Sequence, residues 1–326
     1  MDRYRLAVAG LTHGHVWGLL DQFEKHGGYQ FVAVADETPL LEKAGPRFER
    51  PYRNWREMLD TEQIDAVVVT SDNRTGAEIA RETIKRDIHT LVEKPMAADA
   101  EGAETLYNAW KESGATLMIN WPTNWQPALR LLLNRAKRGD FGQIFGFRFR
   151  TGHGGPKEIG CDEFFVGWLY DERLNGGGAS ADFGGYGAKM SAYLLGMPDR
   201  VVAFRGNFTK EYDVCDDNAA FLLGYPKATA VLEATWSQQG SDGAGNPIVY
   251  GTEATATVID GKLRIDRKWS GATFEDPDPL PEGERNPAEY FYGLLQRGRA
   301  AEGMVSPEIG LMAQRIVSMG LASNSR

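Results

Sequence analysis

Five short apolar runs punctuate the first part of the chain, and each stops at a glycine or a polar residue. Leu6–Ala9 stops at Gly10, and Phe31–Ala35 at Asp36. Ile64–Val69 stops at Thr70-Ser71-Asp72-Asn73, Thr90–Val92 at Glu93-Lys94-Pro95, and Thr116–Ile119 at Asn120-Trp121-Pro122. Between them lie stretches of helical spacing, Val16–Phe23, Gly76–Arg86 and Ala100–Ser113. Unbroken β-branched runs alternating with amphipathic helices predict βαβ units and a parallel sheet covered on both faces. In such a sheet the strand ends face the ligand crevice, so the polar stops converge on one edge.

The texture changes near residue 122. A helix is predicted over Pro127–Arg138, then an alternating strand over Ile144–Arg150, a Gly-rich stretch and a helix over Tyr186–Leu195. Strand-like segments follow at Arg200–Phe208, Asn218–Leu223, Ala228–Trp236, Ile248–Tyr250, Ala254–Ile259 and Lys262–Ile265. Turn signals such as Asp260-Gly261 separate several of them, which predicts a mostly antiparallel sheet. Asp276–Pro281 reads as a loop, and Pro287–Ser323 returns to helix. The fold class is α/β followed by α+β: a Rossmann domain over 1–121, an open-sheet domain over 122–286, and C-terminal helices over 287–326 that pack back on them.

Composition narrows the partners. With 326 residues, the chain is long enough for two cores. A formal net charge of −9, with no block of Lys and Arg, argues against a nucleic-acid surface, which needs clustered cations. No apolar run is long enough to span a bilayer, and the N-terminal run is too short for a signal peptide. Cys161 and Cys215 lack metal or redox spacing, as expected of two thiols in a reducing compartment. The expected location is the cytoplasm.

The first strand-to-helix turn reads Gly10-Leu11-Thr12-His13-Gly14-His15. Gly10 stands at the first glycine of a G-x-G-x-x-G fingerprint, while Thr12 and His15 take the second and third places. Asp36, ending the second strand, is where a carboxylate hydrogen-bonds an adenosine ribose and repels a 2′-phosphate. The expected cofactor is therefore NAD in preference to NADP. The cofactor-binding set is Gly10, Thr12, His13, Gly14, His15, Asp36, Thr70, Ser71, Asn73, Glu93, Lys94 and Asn120. His13 and His15 lack a third ligand at a suitable spacing, so no metal is expected.

Lys94 follows a parallel strand and is held by Pro95. Downstream, Gly176-Gly177-Gly178 leads to Asp182 and Tyr186, which share a helix face if the helix starts near Asp182. Together these residues resemble the glucose–fructose oxidoreductase and inositol dehydrogenase (Gfo/Idh/MocA) family, over essentially the whole chain. Thr70-Ser71-Asp72-Asn73 resembles that family's post-strand T-P-N, and Trp236 echoes it near a strand end. The resemblance implies a nicotinamide cofactor over the strand ends and a sugar or polyol between the domains. It makes Lys94 the catalytic-site lysine and Asp182 the substrate-binding aspartate. Tyr186 stands where many members carry the catalytic histidine, and Gly76 replaces a histidine common after the T-P-N turn.

The reaction needs a group to take a hydroxyl proton while hydride leaves carbon. Either Tyr186, its acidity raised by nearby cations, or Lys94 is that group. Substrate contacts are assigned to Lys94, Asp182 and Tyr186, to His153 after a cleft-rimming strand, and to Trp168 and Tyr170 as stacking rings. The leading function is NAD(P)-dependent oxidation or reduction of a sugar, cyclitol or related polyol. One rival uses the same site for transient oxidation and elimination, with the hydride returned. Another is a sensing regulator that binds the dinucleotide without turnover. An uncovered second face on the C-terminal sheet predicts a homodimer or homotetramer.

Overall fold

A computed structural model describes residues 3–240 and 245–323 of the chain. The chain forms two compact units. The first comprises residues 1–121, 161–176 and 281–311, and the second 122–160, 177–280 and 312–326. The opening stretch of the first unit ends at residue 121. The segment 161–176, however, belongs to the first unit, and the final helix is divided between the two.

The first unit carries β1 (Tyr4–Ala9), α1 (Val16–His26), β2 (Tyr29–Ala35), α2 (Leu40–Ala44), β3 (Arg50–Tyr52) and α3 (Trp55–Thr61). It continues through β4 (Ala66–Val69), α4 (Asn73–Lys85), β5 (His89–Glu93), α5 (Ala100–Lys111) and β6 (Leu117–Asn120). All pairings in this sheet are parallel, in the order β3-β2-β1-β4-β5-β6. The order reverses between β1 and β4, which opens a crevice at their C-terminal ends. Ala9 is in register with Val69 there, so Gly10 and Thr70 leave the sheet side by side. Strands such as Ala66–Val69 are buried throughout, as a doubly covered sheet requires. Asp72 caps α4 and Asp99 caps α5 by accepting backbone N–H bonds, and Gly27 ends α1 at φ 74°.

The second unit holds α6 (Pro127–Lys137) and β7 (Ile144–Gly152). The chain then returns to the first unit for α7 (Glu163–Tyr170) and α8 (Glu172–Asn175). The second unit resumes with α9 (Ala179–Leu195), β8 (Arg200–Gly206), β9 (Asn218–Tyr225), β10 (Ala228–Thr235), β11 (Ile248–Gly251), β12 (Ala254–Ile259), β13 (Lys262–Arg267) and β14 (Gly271–Glu275). Helices α10 (Pro287–Arg297) and α11 (Pro307–Ser323) close the described chain. The second sheet runs β14-β13-β12-β11-β7-β10-β9-β8, antiparallel except for β7 beside β10. Helix α9 packs on β7, β9 and β10, and α6 on β12 and β13.

The elements differ from expectation where neighbours override local pattern. β3 is an edge strand of three residues containing Pro51 and carries no apolar run. β14 is almost wholly exposed and pairs only with β13. Helix α9 begins at Ala179 rather than Tyr186, because its first turn is capped from a distant loop.

Candidate active site

The cofactor half lies in the first unit. Gly10 has φ 84°, and a Cβ there would sit 2.7 Å from the Ser71 backbone N, so only glycine fits. Thr70 stitches the turn together: its Oγ1 donates to Gly10 O at 2.5 Å, and its carbonyl accepts His13 N–H at 2.9 Å. Asp36 is 7% exposed and accepts Leu11 N–H (2.6 Å), Thr38 N–H (2.7 Å) and the Thr38 hydroxyl. A cavity of about 370 Å3 lies beside it, lined by Gly10, Asp36, Thr38, Arg53, Trp55 and Ser71 among others. A larger cavity of about 710 Å3 between α1 and α10, lined by Lys25, His26 and Tyr292, contains none of the expected site residues.

Beside the turn, Glu93 is buried and accepts from Asn120 Nδ2 and from Lys94 N–H at 3.2 Å. His15 Nδ1 is 3.1 Å from Glu93 Oε2, and His13 Nε2 is 3.9 Å from it. Burial opposes the charge on Glu93, but His15, His13 and Lys94 outweigh it and hold the carboxyl down at about 2. Glu93 thus brings the third ligating group that sequence spacing did not reveal, the three donor atoms lying within 4.8 Å. His13 Nδ1 already accepts His15 N–H at 3.2 Å, which places a neutral ring's proton on Nε2, the atom a metal would need. The cluster is a hydrogen-bonded charge network anchored on Glu93.

Several residues assigned to ligands are committed to this turn. Trp168 is buried against His13, ring centroids 5.7 Å apart, and its Nε1 donates to Thr12 O at 3.2 Å. It braces the turn instead of offering a stacking face, which also explains why α7 belongs to the first unit. Phe165 closes on Gly14, where a Cβ would meet its ring at 3.1 Å. Asn73 directs its amide to Asn175, 2.8 Å to Oδ1 and 3.1 Å to the carbonyl. Tyr170 ends α7 half-buried, and Lys94 is buried just beyond β5.

The other half lies in the second unit. Asp216 is fully buried and caps α9 from the loop before β9. It accepts Gly178 N–H, Ser180 N–H at 2.7 Å, the Ser180 hydroxyl at 2.8 Å and Arg205 Nη1 at 3.0 Å. A Cβ at Gly178 would lie 2.0 Å from Asp216 O, which accounts for the last of the three glycines. Its neighbour Asp217 is held at about 2: burial opposes the charge, but the Thr209 and Ser237 hydroxyls, Phe208 N–H and Asn218 outweigh it. Nothing in the sequence marked Asp216 beyond a pair of acids entering an apolar strand.

So capped, α9 presents Asp182 and Tyr186, both buried. Trp236 Nε1 donates to Asp182 Oδ2 at 3.0 Å, which gives the sequence echo at Trp236 a function. The Phe183 ring lies 6.0 Å from Tyr186 and 5.0 Å, edge on, from His153. His153 Nδ1 accepts Gly155 N–H at 3.0 Å, so its neutral ring carries the proton on Nε2. Phe183 thus neighbours both His153 and Tyr186, and Trp236 holds the Asp182 carboxylate.

Comparison with known proteins places the chain in a family. Residues 6–121 match the oxidoreductase family with an NAD-binding Rossmann fold, and residues 130–257 the C-terminal domain of the same family. A levoglucosan dehydrogenase of Pseudarthrobacter phenanthrenivorans is 26% identical over 169 residues, 50% of this chain and 42% of that protein. A D-xylose 1-dehydrogenase [NADP(+)] of Haloarcula marismortui is 28% identical over 219 residues, 66% of this chain and 57% of its own length. The aligned stretches thus span about half the length of these curated relatives. In fold, the chain is similar to a levoglucosan dehydrogenase in complex with NADH and levoglucosan (TM-score 0.82, 20% identity, 99% of this chain and 98% of that one). With both halves of its sequence matched and the turn, the Glu93-Lys94 stop and the Asp182 helix in place, the chain belongs to the Gfo/Idh/MocA oxidoreductase family.

Proposed function

We propose that the protein is an NAD-dependent oxidoreductase acting on a hydroxyl group of a sugar or polyol. The observation that carries the reading is the Asp36 carboxylate beside the glycine cradle at Gly10, which fits an adenosine ribose and disfavours a 2′-phosphate. A nicotinamide dinucleotide, when bound, supplies the hydride acceptor. Gly10, Thr12, Ser71 and Asp36 hold it, and the Glu93–His15–His13 network fixes the turn below.

Asp182, fixed by Trp236, orients a substrate hydroxyl. Tyr186 takes the proton of that hydroxyl, and on the first unit Lys94 is the catalytic-site lysine that the family resemblance implies. The relatives' names, levoglucosan, D-xylose and D-apiose dehydrogenase, support a neutral sugar as substrate. The test is a sugar panel with NAD and NADP, read by dinucleotide absorbance and product mass. Reduced dinucleotide accumulating with a neutral sugar supports the reading, and dinucleotide binding without turnover on the panel would refute it.

His153 favours a second reading. It adds a proton-bearing ring beside Phe183, itself a neighbour of Tyr186, as transient oxidation followed by elimination requires. A product formed with only catalytic amounts of NAD would distinguish it. No described helix is long and apolar enough to cross a membrane, and a cytoplasmic enzyme is part of the proposal.

A homo-oligomer built on the second sheet completes it. Helices α6 and α9 cover one face, while the other exposes Val202, Phe204, Leu222 and Val231 around an Arg148–Glu233–Arg150 ion-pair cluster. An apolar row beside charges of both signs is self-complementary, as a two-fold contact between copies demands.

A further inference from the structure

Helix α9 has two faces. A Cβ at Gly184 would touch Phe221 and one at Gly187 would touch Leu232, so this side is turned to the sheet. At about 100° per residue, Asp182, Tyr186 and Lys189 fall within roughly 60° of one another on the opposite side. Lys189 has no solvent exposure. Long helical side chains lean back over the preceding turn, so the Lys189 stem runs along the Tyr186 turn. Its Nζ donates to Thr123 Oγ1 at 2.7 Å, in the 3-10 turn before α6.

Burial pushes the Lys189 amine well below its ordinary range. A neutral amine offers two N–H donors and a lone pair, whereas an ammonium offers donors only. With one N–H on Thr123, the lone pair can accept a phenol O–H. The titratable groups that share this side of α9 with Lys189 are Asp182, Tyr186 and Tyr193. One turn further along, Lys137 of α6 lies over the Tyr193 ring at 5.2 Å. The rest of α6 turns Leu129, Leu132, Leu133 and Ala136 inward, and the sheet side brings Tyr225, bonded to Ser191.

We propose that Lys189 is a positioning residue that receives the Tyr186 proton, so that the pair acts as the base for the substrate hydroxyl. This rests on the role given to Tyr186 above. In the oxidising direction the substrate carbon loses hydride to the nicotinamide, and its O–H proton passes to Tyr186 Oη. The phenol's own proton passes to Lys189 Nζ. One carbonyl, one reduced dinucleotide and one ammonium result, and the ammonium later releases its proton to solvent.

The experiment is an ultraviolet tyrosinate titration of the full chain, with Tyr186 assigned by its absence in Tyr186→Phe. Lys189→Met keeps the length of the stem and removes only the amine, so the fold should hold. The Tyr186 pKa should rise by at least about one unit toward or beyond the phenol reference of ~10. With NAD and either D-xylose or levoglucosan, kcat should fall ~10- to 100-fold at little change in KM, and the alkaline limb should move up with it. Lys189→Met in the Tyr186→Phe background should cost nothing further.

An unchanged titration in Lys189→Met overturns the proposal, even if thermal stability changes, and it does so whether or not either sugar is oxidised. A damaged Tyr186→Phe beside a silent Lys189→Met removes the relay alone. A silent Tyr186→Phe removes both the relay and the role assigned to Tyr186.

Discussion

Replacing Asp36 by Asn tests the cofactor reading most directly, because it removes one charge at nearly constant shape. A unit charge about 4 Å from a carboxylate costs ~4 kcal/mol at an effective dielectric of about 20. Ionic screening and the mobility of a phosphate reduce this, and Arg53 and Arg56 line the same cavity. We therefore expect about 2 kcal/mol of discrimination against NADP, or ~30-fold in relative affinity. The substitution carries a second cost shared by both cofactors. Asp36 accepts from Leu11 N–H on one oxygen and from Thr38 on the other. An amide has one acceptor oxygen, so one of these donors would face an NH2 group, a loss of about 1–3 kcal/mol. NAD binding should thus weaken about tenfold, while the NAD-to-NADP preference falls ~30-fold. Calorimetric titration with each dinucleotide checks it, and quenching of Trp55, which lines the cavity, gives a second signal. An unchanged ratio, or tighter binding of NADP by the unaltered protein, would refute the argument.

Lys94→Met should lower turnover at least ~100-fold while dinucleotide affinity changes little, as read by parallel kinetics and titration. Glu93→Gln bears on acid stability. The carboxyl is held at about 2, below its unfolded value, so its stabilisation is present above about 4.5 and is lost as pH falls toward 2. The shift corresponds to at most ~3 kcal/mol, so urea midpoints of Glu93→Gln should lie below the parent's at pH ~7 and converge with them near pH ~2. Leu222→Asp places a charge in the exposed row of the second sheet, where the side chain is 54% exposed. Light scattering should then report a smaller particle at unchanged thermal stability, and a monomeric parent at micromolar concentration would remove the interface altogether.

The strand-and-helix alternation, the turn at Gly10, Asp36 at the second strand end, the polar stop at Glu93-Lys94 and the shared helix face of Asp182 and Tyr186 were legible in the chain. Each depends on local causes: apolar runs long enough to be buried on both faces, a glycine where φ is positive, polar residues that stop a parallel strand. What contacts distant in sequence determine was not legible. Trp168 looked like a sugar platform, because its indole partner, Thr12 O, lies 156 residues away. His15 and His13 looked short of a third group, because Glu93 joins them only when β1 and β5 end at one edge. The start of α9 depends on Asp216, a carboxylate 36 residues downstream of the Ser180 it caps. Lys189 reads as an ordinary helical lysine until the helix is placed, and only then does desolvation push its amine well below its ordinary range. Sequence pattern reports which residues prefer to be buried or to stop a strand. Which polar atoms meet inside, and how each alters the charge of the next, is decided by packing, since electrostatic effects depend on distance and on the water that tertiary structure removes.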